Sequence, residues 1–182
     1  TSDFVLGVEN VLSNKYESKI MRFAEAKLND GQRLLAFNDL FIGAASHVSA
    51  RYKISFNQNT EEHSSSGLIV STPAGSTGWL SSIFNMAYGV TNMFEKKLKP
   101  KRPKLNDNEL LFAVREPFQS IRTQTGITAG VIKNQSHLTI ESLMPTNGII
   151  FSDGIETDFL KFNSGSIATI GIAPETARIV VK

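Results

Sequence analysis

The chain has 182 residues and no Cys, so it is long enough to bury a core unaided, and disulfides, Cys-ligated zinc and a cysteine nucleophile are excluded. Its 19 Lys and Arg against 17 Asp and Glu leave a net charge of +2, too balanced for a sequence-independent nucleic-acid binder. At 41% hydrophobic and 20% charged the composition is that of a folded domain, and no apolar run approaches the ~18–20 residues of a membrane span. The first residues, from Val5 to Leu12, set apolar side chains at helical spacing, although Gly7 weakens that helix. Lys19 to Leu28 partly alternates and runs into Asn29-Asp30-Gly31, a strong turn signal because these residues tolerate positive φ. Leu34 to Ile42 then reads as one mostly buried strand, and Arg51 to Phe56 as an alternating strand ending in Asn57-Gln58-Asn59-Thr60. Hairpin-linked strands of this kind point to antiparallel sheet.

The middle changes character. Gly67-Leu-Ile-Val-Ser-Thr-Pro-Ala-Gly-Ser-Thr-Gly-Trp79 reads as a buried strand, a Pro/Gly turn and the start of a helix. From Trp79 to Phe94 the apolar residues recur at i, i+3 and i+4, with Ser76 or Thr77 available as N-cap and the helix fading near Glu95. Residues 95–108 carry two prolines and six basic side chains and read as a solvated loop. Strand patterns resume at 110–114, 138–143, 148–152, 166–172 and 177–181. About nine short strands with one internal amphipathic helix predict a mainly β fold, a β-sandwich or layered β-complex, in a single domain spanning 1–182.

Two stretches are rich enough in polar groups to suggest chemistry. Ser71, Thr72, Ser76 and Thr77 crowd hydroxyls into the turn, while Gly75 and Gly78 allow a ligand close to the backbone. The same residues would also serve a plain capped helix. The turn is neither a Walker loop, since no Lys follows the glycines, nor a Gly-x-Ser-x-Gly elbow. Asn38-Asp39 interrupts an apolar strand, so at least one polar side chain enters a core or a site, and a buried carboxylate is costly unless partnered. His47, His63 and His137 share no ligand spacing; they read as surface residues, and no metal site is expected.

These stretches resemble the C-terminal domain of the NAD kinases. Phe37-Asn38-Asp39-Leu-Phe-Ile-Gly43 is similar to the family's Asn-Glu/Asp motif, and Gly67 to Trp79 resembles its Gly-Leu-x-x-Ser-Thr-Pro-Thr-Gly-Ser-Thr-Ala-Tyr signature. Phe151-Ser-Asp-Gly154 and Gly165-Ser-Ile-Ala-Thr169 resemble the closing Asp-Gly turn and strands, so the likeness runs from about Asn10 to Val181. Val48-Ser-Ala-Arg-Tyr52, Ser65-Ser-Gly67 and Phe112-Ala-Val-Arg-Glu-Pro117 resemble the mitochondrial-type branch. Ser66 stands where most members have an aspartate, Trp79 replaces Tyr, Gly78 replaces Ala and Ala74 replaces Thr.

The resemblance implies a transferase: ATP- and magnesium-dependent phosphorylation of the adenosine ribose 2′-hydroxyl of NAD, giving NADP. It implies a substrate-binding set of Asn38, Asp39, Ser66, Thr72, Gly75, Ser76, Thr77, Gly78 and Trp79, with the carboxylate on ribose hydroxyls and Trp79 packing on the dinucleotide. It further implies a homo-dimer or higher oligomer. From charge and hydropathy no nucleic-acid or membrane partner is expected, and without a leader the expected compartment is the cytoplasm, or the mitochondrial matrix in a eukaryote. The family's Gly-Gly-Asp-Gly-Thr motif, which carries the catalytic aspartate in an N-terminal α/β domain, does not occur in these 182 residues. No catalytic residue is therefore expected in this chain, and alone it is expected to be inactive. With its Thr1 start and lack of a basic-then-apolar leader, the chain is expected to be processed or part of a longer protein, the N-terminal domain lying elsewhere. Two alternatives stand beside this reading: a diacylglycerol- or sphingosine-kinase-like lipid kinase, which would need an apolar entry, and a non-catalytic nucleotide-binding module.

Overall fold

A computed structural model describes residues 2–94, 105 and 108–181. Its elements in chain order are α1 (Ser2–Leu12), β1 (Glu17–Leu28), β2 (Arg33–Ala36), β3 (Asp39–Ala44), β4 (Ala50–Phe56), β5 (Asn59–Ser65) and β6 (Leu68–Ser71). A single 3-10 turn (Gly75–Thr77) leads into α2 (Trp79–Thr91), and then come β7 (Glu109–Val114), β8 (Ala129–Lys133), β9 (Leu138–Ser142), β10 (Gly148–Ser152), β11 (Phe159–Lys161) and β12 (Ile167–Val181). The 12 strands form two six-stranded sheets, ordered β2-β1-β12-β9-β4-β5 and β11-β10-β3-β6-β7-β8. Every strand pairing in both is antiparallel.

The two sheets stack face to face. The core between them takes Ala24, Ala26, Tyr52, Ile54, Leu138, Ile140, Ala168 and Ile170 from the first sheet and Leu40, Ile42, Leu68, Val70, Phe112, Ile132 and Ile150 from the second. Burying each large apolar side chain here contributes about 1.5–3 kcal/mol. The second sheet is covered on its other face as well. Leu111 and Ala113 of β7 lie under Leu80, Ile83 and Phe84 of α2, and Phe41, Ile149 and Phe151 pack with Trp79. Alternation along a strand sends neighbouring residues to opposite faces. Burial of both faces therefore accounts for the unbroken apolar runs of β3, β6 and β7, where the first sheet's strands alternate.

The mainly β expectation holds, with specific corrections. The single strand read over 34–42 is two strands in different sheets: β2 pairs with β1, whereas β3 pairs with β10 and β6. The chain crosses between layers at Phe37-Asn38. A second crossing lies at Ser66-Gly67, where Gly67 has φ +85° and a Cβ would press on the Ile42 carbonyl, so glycine is required there. Strands β5, β8 and β11 were not read from the sequence, and the separate strands expected at 166–172 and 177–181 are one continuous β12. α2 starts at Trp79 with Gly78 in the capping position and no side-chain cap, so neither Ser76 nor Thr77 caps it. Its outer residues Met86 and Val90, like Val5 and Leu12 of α1, are exposed. His63, expected on the surface, is fully buried in β5. The fading of the helix beyond Phe94 and nearly all of the basic loop fall outside the described residues. No helix among the described residues is long and apolar enough to cross a membrane.

Candidate functional site

The crossing at Phe37-Asn38 creates the site. A chain leaving one sheet for another loses its ladder partners, and its polar backbone groups must be satisfied otherwise. Asp153 supplies acceptors for the donors. Its Oδ2 accepts from the Phe37 N–H at 2.9 Å, and its Oδ1 accepts from the N–H groups of Asn38 and Asp39 at 2.6 and 3.2 Å. Thr72 takes the carbonyls: its hydroxyl donates to the Phe37 oxygen at 2.6 Å and its N–H to the Asn38 oxygen at 2.9 Å. Asp153 can reach in because it sits at the tip of β10 in a tight turn with Gly154, both at positive φ (52° and 74°), closed by the Ile155 N–H on the Ser152 carbonyl. The Asp153 N–H in turn donates to the Asp39 carbonyl at 2.9 Å.

The turn after β6 closes over this crossing. Gly75 lies against the Asn38 backbone so tightly that a Cβ would collide with the Asn38 carbonyl. Its N–H reaches the Thr72 hydroxyl at 3.3 Å. The outcome is a cavity of about 340 Å³ bordered by Asn38, Asp39, Gly75, Thr77, Trp79 and Asp153, with Ala74, Gly78 and Gly154 at its edge.

With their backbones held, the side chains are left over. The Asn38 amide and the Thr77 hydroxyl are exposed and carry no hydrogen bond among the described residues. Asp39 is largely buried, but its carboxylate borders the cavity and likewise has no hydrogen-bond partner there. Burial first, and the neighbouring charge of Asp153 second, hold its carboxyl above its ordinary range. A carboxylate in that position gains most from hydroxyl donors that a ligand brings in.

Of the nine residues picked from the sequence, Asn38, Asp39, Gly75, Thr77, Gly78 and Trp79 border this one cavity. Thr72 lies beneath it, fully buried, and builds the wall rather than lining it. The Ser76 hydroxyl is turned back onto the Pro73 carbonyl at 2.7 Å. Ser66 lines a different cavity of about 470 Å³, floored by Phe41, Ile149 and Phe151 and rimmed by Ser46, His47 and Arg115. Trp79 is the wall common to both cavities. Its indole stacks on Phe41 with ring centroids 5.5 Å apart and planes 3° off parallel, and the Arg115 guanidinium carbon lies 5.2 Å from its centroid. The ring is thus packed by the protein itself, not free on both sides.

Asp153 was missed as a site residue. Its signal was the Ser-Asp-Gly turn straight after a buried strand, but its part is played through backbone N–H groups that no residue pattern displays. Among the described residues no group of three or more His, Asp or Glu side chains is arranged to hold a metal ion.

Neither protein-family models nor curated protein sequences give a match to this chain. In three dimensions it is similar to the crystal structure of yeast NADH kinase complexed with NADH, with a TM-score of 0.71 at 16% sequence identity. The match covers 100% of this chain and 49% of the yeast one, so the chain spans about half the length of that protein. At this identity the likeness is one of fold: the chain has the two-sheet β architecture with an internal helix found in an NAD kinase-like structure.

Proposed function

We propose that this chain is the substrate-binding domain of an NAD kinase, of the mitochondrial-type branch, whose whole protein transfers the ATP γ-phosphoryl to the adenosine ribose 2′-hydroxyl of NAD. One observation carries the reading: the carboxylate of the largely buried Asp39, without an internal hydrogen-bond partner, beside the free amide of Asn38 in one cavity. Vicinal ribose hydroxyls are suited to such a carboxylate, because two O–H donors converge on its two oxygens. The Asn38 amide offers both donor and acceptor to the adenosine, Thr77 adds a hydroxyl, and Trp79 forms the wall. The fold shared with a kinase complexed with NADH supports the assignment.

Magnesium would enter with the phosphoryl donor. In this reading the chain's contribution is binding and orientation of the acceptor. Homo-oligomerisation and a cytoplasmic or mitochondrial-matrix location belong to the same reading.

Calorimetric titration of the chain with NAD tests it. Wild type is expected to bind in the micromolar range, and Asn38→Ala to bind about 5- to 150-fold more weakly, the effect of one lost hydrogen-bonding partner, buried only once the ligand covers it, worth about 1–3 kcal/mol. His137→Ala, an exposed change outside the cavity, is the control. Equal effects of the two substitutions would sink the proposed site, and absence of NAD binding would sink the function.

A further inference from the structure

Arg115 closes β7 and is fixed at the second crossing between sheets. Its N–H donates to the Gly67 carbonyl at 2.8 Å, and its carbonyl accepts from the Ser66 N–H at 3.0 Å. The side chain then lies over Trp79, guanidinium carbon 5.2 Å from the ring centroid, with Nη1 on the Ser66 carbonyl at a long 3.4 Å. No carboxylate among the described residues is within ion-pair distance of it, although Glu116 and Glu156 line the same cavity. Both glutamates are exposed and solvated, so neither neutralises it.

A half-buried guanidinium placed over an indole face, with one weak hydrogen bond, keeps most of its N–H donors available. Cation–π attraction holds the guanidinium over the ring, and its remaining N–H donors suit a bidentate anion such as a phosphate. Its place is equally specific. Arg115 lines the 470 Å³ cavity, and the residue it rests on, Trp79, separates that cavity from the one holding Asn38 and Asp39. A ligand occupying both compartments must pass the edge of Trp79.

We infer that Arg115 binds the diphosphate of a dinucleotide lying across Trp79 and selects ligands by that anionic linker. The inference rests on the reading of the Asn38-Asp39 cavity as the adenosine site. Arg115 is thereby a specificity-determining residue, and the two cavities hold the two nucleoside halves of one ligand.

Calorimetry on the 182-residue chain with two probes, NAD and adenosine, separates the steps. Arg115→Ala is expected to weaken NAD binding about tenfold or more and to leave adenosine binding within about twofold. Arg115→Lys, which keeps the charge and loses the fork, is expected to fall between wild type and Arg115→Ala for NAD. Equal weakening of both probes would mean that Arg115 only supports Trp79, and no weakening of NAD would mean it meets no phosphate; either overturns the inference. Binding of adenosine without any gain for NAD in wild type overturns it too, while leaving the adenosine site standing. Failure of wild type to bind either probe removes the functional reading itself.

Discussion

Two carboxylates in this molecule each collect three N–H donors, in regions that serve different ends. Glu61 Oε2, beneath the loop between β7 and β8, accepts from His63 Nε2 at 2.9 Å and from the N–H groups of Gly126 and Ile127 at 3.0 Å each. Asp153, at the end of the second sheet, accepts from three consecutive backbone N–H groups, those of Phe37, Asn38 and Asp39. The Glu61 cluster is closed: its neighbours are protein, and the one buried side-chain atom without a partner among the described residues, His63 Nδ1, borders no described cavity. The Asp153 cluster opens on a cavity and sits beside a second carboxylate, Asp39, that is not hydrogen-bonded at all within the described residues. A satisfied carboxylate does structural work. The neighbouring one left unsatisfied is where a ligand has something to contribute.

Removing the Asp153 carboxylate is the most damaging way to probe the comparison. Asp153→Ala strands three backbone N–H groups at the crossing between sheets and is expected to cost about 2–4 kcal/mol of stability. Because those groups set the backbone of Asn38 and Asp39, NAD binding is expected to disappear with it. Chemical denaturation and calorimetry on one preparation read both effects. A variant as stable as wild type would show that water replaces the carboxylate and that the cluster holds nothing.

Glu61→Gln probes the closed region. Burial pushes the Glu61 carboxyl upward, but the hydrogen bonds from His63, Ile127 and Gly126 outweigh it and leave the group below its ordinary value of 4.5. A carboxylate lowered in the folded state contributes stability that is present above the unfolded value and is lost as pH falls through the folded one. Glu61→Gln is therefore expected to cost about 1 kcal/mol at pH 7 and to flatten the acid limb of the stability curve below pH 4.5. NAD binding is expected to stay within about twofold of wild type. Coupled losses of stability and binding would mean that the loop held by Glu61 reaches the site after all.

The same contrast explains what could be read from the chain alone. Asn38-Asp39 and the Ser71 to Trp79 turn announced themselves because polar residues interrupt apolar runs, and the helix from Trp79 showed in its period. The crossing at Phe37-Asn38 did not, since β2 ends in the apolar run Leu34-Leu35-Ala36, β3 is apolar after Asp39, and such a run looks alike whether it stays in one sheet or changes sheets. β5 escaped for the opposite reason: Asn-Thr-Glu-Glu-His-Ser-Ser has no apolar residue, yet it pairs with β4 at an edge and turns His63 and Ser65 inward. His63 likewise reads as a surface residue until its carboxylate partner two residues away, and the ring of Tyr52 beside it, are seen. Asp153 and Arg115 act through backbone amides and an indole face, contacts that composition and spacing do not encode.

Asp39→Asn is the smallest change in stability and the sharpest test, because its two effects have opposite signs. Burial and the charge of Asp153 raise the Asp39 carboxyl above its ordinary 3.8, so the folded chain holds that proton more tightly than the unfolded chain does. The ionised group thus opposes folding at neutral pH, and stability is regained as pH falls through the raised folded value. Replacing it with the neutral amide is expected to raise stability at pH 7 by no more than about 1 kcal/mol and to remove that pH dependence. NAD affinity is expected to fall about tenfold in the same protein, since the amide presents one acceptor oxygen where the carboxylate presents two. A gain in stability bought with a loss in binding is the mark of a group kept for its ligand. If both fall together, Asp39 belongs with Glu61 among the carboxylates that hold the fold, and the open cavity loses its chief reason for binding a ribose.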